Sequence, residues 1–475
     1  MSVTAERRAA IARFAVSRAG TEPPRWFVPG VLAVPYLVVI AATRGLKANL
    51  HTFHWWDEFA FHYPTILRFG AQWPSIDFVH YPAAQTPLYH TLMATVGQVI
   101  GLELWRLRLV EALLSYLLAL ALYALLRRGR GLERPAALAL AGLLALSPYV
   151  FGSSFILNTD NLALGFTVAT MYELERFRRR PGLGSFVLAS LAICAAVLTR
   201  QSCVFLFPIA FGYLVLAGRP LARRARIAAL GVLGLAAVPL GALVLAWGGL
   251  VPIGSDPSSC GLCPPQAGYG NGSGAGVFLR SVSFTFAVTA AYVLVLFAPR
   301  VLRGARDAWR SLRDGSARFG GTGALVARTL TRERLRPAVL PGAAALVALV
   351  MLAISPLHSK LGDAGWLWRL AGYTPTVLGS SALFWIIVPA GAAGIVLRWR
   401  ANPGDWVGPL FFGSFLLVAV TTRLGYQKYY DPYALLAVLL TVRHGELRRG
   451  NYLGVATLLL GSMIYVAGFA LGYVI

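Results

Sequence analysis

Residues 26–46, WFVPGVLAVPYLVVIAATRGL, form an apolar run long enough to cross a lipid bilayer, and the polar and aromatic stretch HWWDEFAFHYP follows at residues 54–64. A bilayer core of roughly 30 Å needs a helix of about 17 to 25 apolar residues. Similar runs recur along the chain, in which 57% of the residues are hydrophobic and 13% are charged. The sequence therefore predicts an all-α polytopic membrane protein and excludes an ordinary soluble enzyme.

The apolar runs predict about 13 transmembrane helices. They lie at residues 26–46, 105–126, 134–152, 158–175, 183–199, 203–217, 227–247, 277–298, 338–354, 378–397, 406–420, 432–442 and 451–473. Residues 86–100 are also apolar but are interrupted by polar residues, so we expect a juxtamembrane helix there. The predicted organisation is a basic cytoplasmic N-terminus and a single transmembrane domain with a large first outer loop and a basic cytoplasmic loop. These four parts span residues 1–25, 26–475, 48–104 and 299–337.

The net charge of +24 follows the predicted topology. Of the 43 lysines and arginines, 32 lie in segments that fall on one side of the membrane if the N-terminus is cytoplasmic. This is the positive-inside pattern, so the charge indicates contact with membrane lipids and not a nucleic-acid partner. The other 11 cations share the outer side with nine acids, and this near-neutral balance allows ion pairs or a site there.

The first outer loop carries the adjacent acids Asp57 and Glu58 among aromatic residues and histidines. A lipid-linked sugar reached from the outer leaflet suits such a place, because sugar transfer needs one carboxylate to take the proton of the acceptor hydroxyl. It also needs cations around the departing phosphate. We predict that Asp57 is the base and that Glu58 orients or binds the acceptor. The alternative is that both are solvated acids or helix caps.

Three stretches of the sequence resemble the dolichyl-phosphate-glucose α-1,2-glucosyltransferases, a family of the C-type (GT-C) membrane glycosyltransferase superfamily. The matching residues are Asp57, Glu58, His62, Pro64, Arg68, Trp73, Asp77, Thr86, Pro87 and Tyr89 in the first loop, Thr159 and Asp160 in LNTDNLALGF, and Arg200, Gln201 and Ser202 in LTRQSCVF. The family's closing motif is replaced by LGYQKYYDPYALL at 424–436. The resemblance implies a GT-C fold and a hexosyltransferase that uses a polyprenyl-phosphate sugar, with glucose as the candidate sugar.

Further site residues are expected on the outer side. We predict contacts to the donor phosphate from Arg200, Gln201, Lys428 and Arg423, and substrate contacts from His62, Asp77, Tyr89, Asp160 and Tyr429. Simpler roles stay open. Asp160 and Thr159 can cap a helix, Arg200 can stabilise a helix end, and Lys428 can act as an interfacial anchor. Arg108 and Glu111 are three residues apart on one helix and are expected to pair.

No cofactor is indicated. A divalent cation is conceivable because the first loop holds His51, His54, His62, His80 and His90, but their spacing gives no paired helical site, so we predict no metal. Cys260 and Cys263 have a CxxC spacing that permits a disulfide or half a zinc site.

The predicted activity is inverting transfer of a sugar to a lipid-linked or cell-surface glycan acceptor, on the outer face of a bacterial or archaeal plasma membrane. The alternative is a lipid-linked sugar transporter or flippase that breaks no glycosidic bond.

Overall fold

The computed structural model describes residues 24, 26–47, 55–253, 277–316, 324–357, 365–402, 404–421, 426–447 and 449–470. This part of the chain is predominantly helical, with one two-stranded antiparallel sheet formed by β1 (Thr376–Val377) and β2 (Ser380–Ser381). His51, His54, Cys260, Cys263 and Arg423 lie outside the described residues.

The helices are numbered here in chain order. They are α1 (Phe27–Ala42), α2 (Trp55–Asp57), α3 (Tyr63–Gln72), α4 (Leu88–Ile100), α5 (Leu104–Ala124), α6 (Arg134–Ala145), α7 (Pro148–Ser153), α8 (Asp160–Arg179), α9 (Leu183–Thr199), α10 (Leu206–Ala217), α11 (Arg223–Trp247), α12 (Leu279–Ser316), α13 (Ala324–Ile354), α14 (Trp366–Gly372), α15 (Ala382–Arg400), α16 (Val407–Ala419), α17 (Asp431–Leu440) and α18 (Arg449–Ala470). A π-helical turn at Glu58–His62 joins α2 to α3, and 3-10 turns at Gln201–Phe205 and Gln427–Tyr429 precede α10 and α17.

Each of the thirteen apolar runs contains a helix. The run at 183–199 coincides with α9. The run at 134–152 is divided into α6 and α7, and α7 begins at Pro148, whose ring fits the first turn of a helix but not its interior. The predicted juxtamembrane helix at 86–100 is also found as α4, and its depth in the membrane stays a prediction.

Four of the described helices are long and apolar enough to cross a membrane: Leu104–Gly129, Arg223–Trp247, Leu279–Pro299 and Ala382–Arg400. Seven further apolar helices of 10–17 residues accompany them. The helix α11 shows why lipid must surround the molecule, since Leu235 and Leu245 are 69% and 84% exposed on its surface. Such an exposed apolar perimeter is stable in hydrocarbon and not in water. The protein is therefore an integral membrane protein, while the count of about 13 spans remains a prediction.

The helix α12 packs against α13, α15, α17 and α18 in the second half of the chain. Its contact with α15 is close enough that a Cβ added at Gly391 would lie 2.0 Å from the carbonyl oxygen of Phe286. Small residues of this kind let membrane helices approach backbone to backbone. The helix bends at Phe297, two residues before Pro299, because proline cannot donate the hydrogen bond that would continue the helix.

The first outer loop has its own small core. Ile66, Phe69 and Tyr81 are buried there against Met93 of α4. Trp247, at the end of α11, joins this core and donates a hydrogen bond from Nε1 to the carbonyl oxygen of Phe78, 2.8 Å away. The loop is thus fixed to the helices, and its first turn brings Asp57 close to the segment before α17.

Candidate active site

The turn that carries Asp57 and Glu58 directs their two carboxylates to different partners. Asp57 forms an ion pair with Lys428, which lies 371 residues later in the chain on the 3-10 turn Gln427–Tyr429. The Asp57 side chain keeps 29% of its surface exposed, whereas Glu58 is fully buried. Successive helical residues point about 100° apart, so the two acids occupy separate environments and do not share a proton.

Glu58 forms a buried ion pair with Arg108 of α5. The guanidinium donates from Nε to Oε1 at 2.9 Å and from Nη2 to Oε2 at 2.5 Å, and the backbone N–H of Leu157 adds a third bond to Oε1 at 2.8 Å. This two-pronged geometry fixes the start of the first loop against α5. The structure therefore gives Glu58 a structural position, although the sequence pattern indicated a catalytic or acceptor-binding one. Neither Glu58 nor Asp57 lines the cavity described below, but Asp57 contacts Lys428, which does.

The expected pairing of Arg108 with Glu111 is wrong. Glu111 instead accepts a hydrogen bond from the hydroxyl of Tyr89 at 2.8 Å, and the same Tyr89 oxygen accepts one from the backbone N–H of Asn158 at 3.0 Å. Burial does not distinguish the two carboxylates, since Glu58 and Glu111 are both fully buried. Arg108 forms a two-pronged contact with Glu58, while Glu111 is served by the Tyr89 hydroxyl. Tyr89, predicted to bind substrate, is thereby part of an internal network.

Arg200 and Asp160 form the second charged pair of the site. Arg200 follows the last residue of α9, and Asp160 is the first residue of α8, so the carboxylate lies at the positive end of a helix. The Arg200 guanidinium also lies over the ring of Tyr429, 4.6 Å from its centroid. Lys428 Nζ lies 5.2 Å from the same centroid. One aromatic ring therefore has both cations nearby, and each cation has a carboxylate partner.

The two cations line a cavity of about 450 Å³. Its polar side also includes Asp160, Gln201 and Gln85. Its apolar side is formed by residues of the turn before α10 and of α11 and α16, among them Val204, Phe205, Leu240, Phe415 and Val418. A cavity lined by both charged groups and hydrocarbon suits an amphipathic ligand.

Gln201 does not present its amide hydrogens to the cavity. Its Nε2 atom donates to the carbonyl oxygens of Ala84 at 2.7 Å and Leu250 at 3.1 Å. Both N–H donors are therefore committed to the backbone, and the donor role toward phosphate that the sequence pattern suggested has no free hydrogen to support it. The correction concerns the role of Gln201, since the residue does line the cavity.

His62 is buried within the first loop and does not line the cavity. Its ring stacks on His90 with 5.3 Å between centroids, and its Nδ1 atom is 3.0 Å from His90 Nε2. Burial, together with the nearby charges of Lys428 and Arg200, lowers the pKa of His62 from 6.5 to about 3. The ring is consequently neutral at physiological pH and supports the loop that holds Asp57.

Asp77 is placed on the outer surface of the first loop. It accepts hydrogen bonds from the backbone N–H groups of Val79 at 2.8 Å and His80 at 3.2 Å, and Arg68 lies 3.9 Å away. The bond from Val79 N–H is the main reason that the pKa of Asp77 is lowered. This carboxylate closes a local turn, and the cavity wall does not include it.

The helix-capping role of Thr159, which the sequence left open, is not observed in the structure. Asp160 has a place in the cavity wall, but Thr159 makes no capping bond to the helix, and the side chain of Asn158 accepts from the Asp160 N–H at 3.0 Å. Within the described residues, no group of three or more His, Cys, Asp or Glu side chains is arranged to hold a metal ion.

Sequence reasoning missed Gln85 and Asn161, which line the cavity. Asn161 is buried, and its Nδ2 donates to Ser115 Oγ at 2.8 Å and to the carbonyl oxygen of Val150 at 2.9 Å. Both residues stand next to motif residues, Gln85 before Thr86 and Asn161 after Asp160. A search for polar residues that flank the motifs would have found them.

Comparison with known proteins gives one family match. Residues 84–247 match the family model described as dolichyl-phosphate-mannose-protein mannosyltransferase. The match covers roughly a third of the chain and includes Gln85, Asp160, Arg200 and Gln201. A search of the curated proteins gives no match. The finer resemblance to the α-1,2-glucosyltransferases stays a prediction.

Two similar solved structures come from Cupriavidus metallidurans. The crystal structure of ArnT in the apo state is similar at 15% identity with a TM-score of 0.40, over 94% of this chain and 75% of that chain. The crystal structure of ArnT bound to undecaprenyl phosphate is similar at 16% identity with a TM-score of 0.37, over 93% of this chain and 74% of that chain.

Proposed function

We propose that the chain is a GT-C membrane glycosyltransferase that moves a sugar from a polyprenyl-phosphate donor to a glycan acceptor. The observation that carries this proposal is the pair of cations, Arg200 and Lys428, on the wall of a cavity that is otherwise lined largely by apolar residues. The match of residues 84–247 to a family of dolichyl-phosphate-mannose users supports it, because that segment contributes Asp160 and Arg200 to the same cavity.

The donor is oriented by charge and by hydrophobic contact. Its phosphate lies between Arg200 and Lys428, where a guanidinium supplies two donors in a fork and an ammonium supplies a compact charge. Its prenyl chain follows the apolar wall formed by Phe205, Leu240 and Phe415. Each cation also pairs with a carboxylate, Arg200 with Asp160 and Lys428 with Asp57. In this proposal phosphate binding draws the cations from their carboxylates toward the ligand.

Asp57 acts as the general base in this proposal. Its carboxylate takes the proton of the acceptor hydroxyl while the acceptor oxygen bonds to the anomeric carbon, and the bond from that carbon to the phosphate oxygen breaks. The electron pair leaves with the polyprenyl phosphate, whose charge Arg200 and Lys428 stabilise. A phosphate leaves as a stable anion, so one carboxylate suffices. A single direct displacement inverts the anomeric configuration.

Lys428 connects the two halves of this reaction. It pairs with Asp57 and is also a candidate ligand of the phosphate. When the phosphate draws Lys428 away, the Asp57 carboxylate is released to accept a proton. We propose on this ground that donor binds before acceptor.

The sugar and the side of the membrane are finer parts of the proposal. Glucose is supported by the resemblance of the first loop to the dolichyl-phosphate-glucose α-1,2-glucosyltransferases. Reaction on the outer face, with the N-terminus in the cytoplasm, is supported by the positive-inside distribution of lysine and arginine. The acceptor is a lipid-linked or cell-surface glycan, since both are present at that surface.

The test separates donor binding from transfer. The purified protein in lipid nanodiscs is titrated with polyprenyl phosphate, and Arg200→Met and Lys428→Met are expected to weaken binding by at least about tenfold, the loss of one charged hydrogen bond. Arg68→Met is the matched control, because Arg68 is a cation of the first loop that does not line the cavity. Equal binding by all four proteins would contradict the phosphate site.

Transfer is then followed with a radiolabelled polyprenyl-phosphate sugar. The proposal predicts a new labelled glycoside and the release of polyprenyl phosphate. Movement of the intact labelled lipid between leaflets, without release of polyprenyl phosphate, would identify a flippase instead and would contradict the transferase proposal.

A further inference from the structure

The side-chain amide of Gln201 has a fixed orientation. Its Nε2 atom donates to two backbone carbonyl oxygens, those of Ala84 and Leu250. Rotating the amide by 180° would place its oxygen against these two oxygens, which offer no hydrogen. The oxygen of Gln201 must therefore point away from both, and it can act only as a hydrogen-bond acceptor.

This oxygen and that of Gln85 have no partner among the described residues, although both atoms are buried and both side chains line the cavity. A buried acceptor without a donor costs free energy, so a native site usually supplies one from a ligand or water. The two glutamines are also neighbours, because Gln201 is anchored on the carbonyl group of Ala84, the residue directly before Gln85. The side chains that carry the two unpaired acceptors therefore lie near each other in the cavity wall.

The chemistry of these acceptors differs from that of Arg200, the residue directly before Gln201. Phosphate oxygens accept hydrogen bonds, so two further acceptors give them nothing. Sugar hydroxyls donate hydrogen bonds and match an amide oxygen. Because Arg200 and Gln201 both line this cavity, a phosphate on the first can place its attached sugar near the second.

We propose that the side-chain oxygens of Gln201 and Gln85 form the subsite for the hydroxyl groups of the donor sugar. This inference rests on the proposed function and adds the residues that select the sugar. The ligand at this subsite is a neutral, hydroxyl-bearing hexose, and each glutamine oxygen accepts a hydrogen bond from one hydroxyl. A site built to bond a hydroxyl discriminates against an analogue that lacks it, because its acceptor is then left unpaired.

The experiment compares Gln85→Met and Gln201→Met with the wild type in nanodiscs. Methionine has nearly the length of glutamine but lacks the carbonyl oxygen. Affinity is measured for polyprenyl phosphate, for the polyprenyl-phosphate hexose, and for a set of donors that each lack one sugar hydroxyl. Gln98→Met serves as the matched control, since Gln98 is an exposed glutamine of the same outer region whose amide bonds to Gly70.

In the wild type, removal of a recognised hydroxyl should raise the dissociation constant about five- to tenfold, the effect of one neutral hydrogen bond. In the variant that lacks the glutamine oxygen paired with that hydroxyl, removal of the hydroxyl should not raise the dissociation constant further. Polyprenyl phosphate should bind this variant as it binds the wild type. Gln201→Met also loses the bonds to Ala84 and Leu250, so Gln85→Met, which leaves those bonds intact, decides the case if Gln201→Met unfolds.

The inference is overturned if removal of each hydroxyl raises the dissociation constant by the same factor in Gln85→Met as in the wild type. The Gln85 oxygen would then accept its hydrogen bond from water and not from the sugar. The inference is also overturned if the glutamine variants weaken polyprenyl phosphate as much as the polyprenyl-phosphate hexose. Failure of the wild type to bind either lipid would instead contradict the proposed function, so the two failures are distinguishable.

Discussion

The buried pair of Glu58 and Arg108 makes the clearest prediction about how Asp57 is positioned. Glu58→Gln keeps the shape of the side chain and an oxygen for the backbone N–H of Leu157, but it removes the negative charge that pairs with Arg108. Both side chains are almost completely buried, at 0% and 3% exposure, so solvent does not screen the loss.

The expected cost is about 3–5 kcal/mol, the range for breaking a buried ion pair by removing one partner. The double variant Glu58→Gln/Arg108→Met removes the uncompensated charge as well. It should recover most of the loss, because replacing a buried pair by groups of similar volume is often close to neutral. The bond from Arg108 Nη1 to the carbonyl oxygen of Leu46, at 3.5 Å, disappears in addition.

Equilibrium unfolding in mixed micelles measures these differences, and transfer from a labelled polyprenyl-phosphate sugar measures activity. We expect Glu58→Gln to be unstable and weakly active, and the double variant to be stable and active. A double variant as stable as the wild type but without activity would refute the structural role and return Glu58 to the catalytic role that its sequence context suggested. A loss below about 1 kcal/mol for Glu58→Gln would refute the buried pair itself.

Two further predictions concern the charged groups around the site. Arg200→Lys keeps the charge but loses the fork of donors, so polyprenyl phosphate should bind about tenfold more weakly by titration, and unchanged binding would argue against a two-pronged contact. His62 has a folded pKa of about 3, below its unfolded value of 6.5, so the folded state holds fewer protons and loses stability as pH falls below about 6.5. By pH 5 the loss is about 2 kcal/mol, and unfolding at pH 7 and pH 5 should show a smaller difference for His62→Gln than for the wild type.

The helices could be predicted from the sequence because hydropathy and length are local properties. The run at 183–199 and the helix Leu183–Thr199 coincide. The run at 134–152 is interrupted before Pro148 and forms two described helices. The short 3-10 turn at Gln201–Phe205 was missed because apolar composition does not distinguish a tight first turn from an α-helix.

The partners of the charged residues could be predicted much less well. Spacing along one helix favoured Arg108 with Glu111, but Arg108 binds Glu58, 50 residues earlier. The ion pair of Asp57 with Lys428 joins residues from opposite ends of the chain, and no local pattern announces it. The predicted topology assigns these charges to one side of the membrane, while the choice of partners depends on how the helices pack.

The orientation of Gln201 could not be predicted for a related reason. A glutamine beside an arginine suggests two donors for phosphate, and the sequence alone cannot show that Ala84 and Leu250 take both amide hydrogens. The acceptor role depends on the folded chain, in which the first loop and the segment after α11 supply these two carbonyl groups.

The most direct test of the central claim uses Asp57→Asn. The variant keeps the size of the side chain but cannot take a proton, so transfer from a labelled polyprenyl-phosphate sugar to membranes of source cells that lack this protein should fall by a factor of about 10² to 10⁴. Binding of polyprenyl phosphate should persist, because Arg200 and Lys428 are unchanged. Transfer at the wild-type rate by folded Asp57→Asn would contradict the claim that this carboxylate is the base.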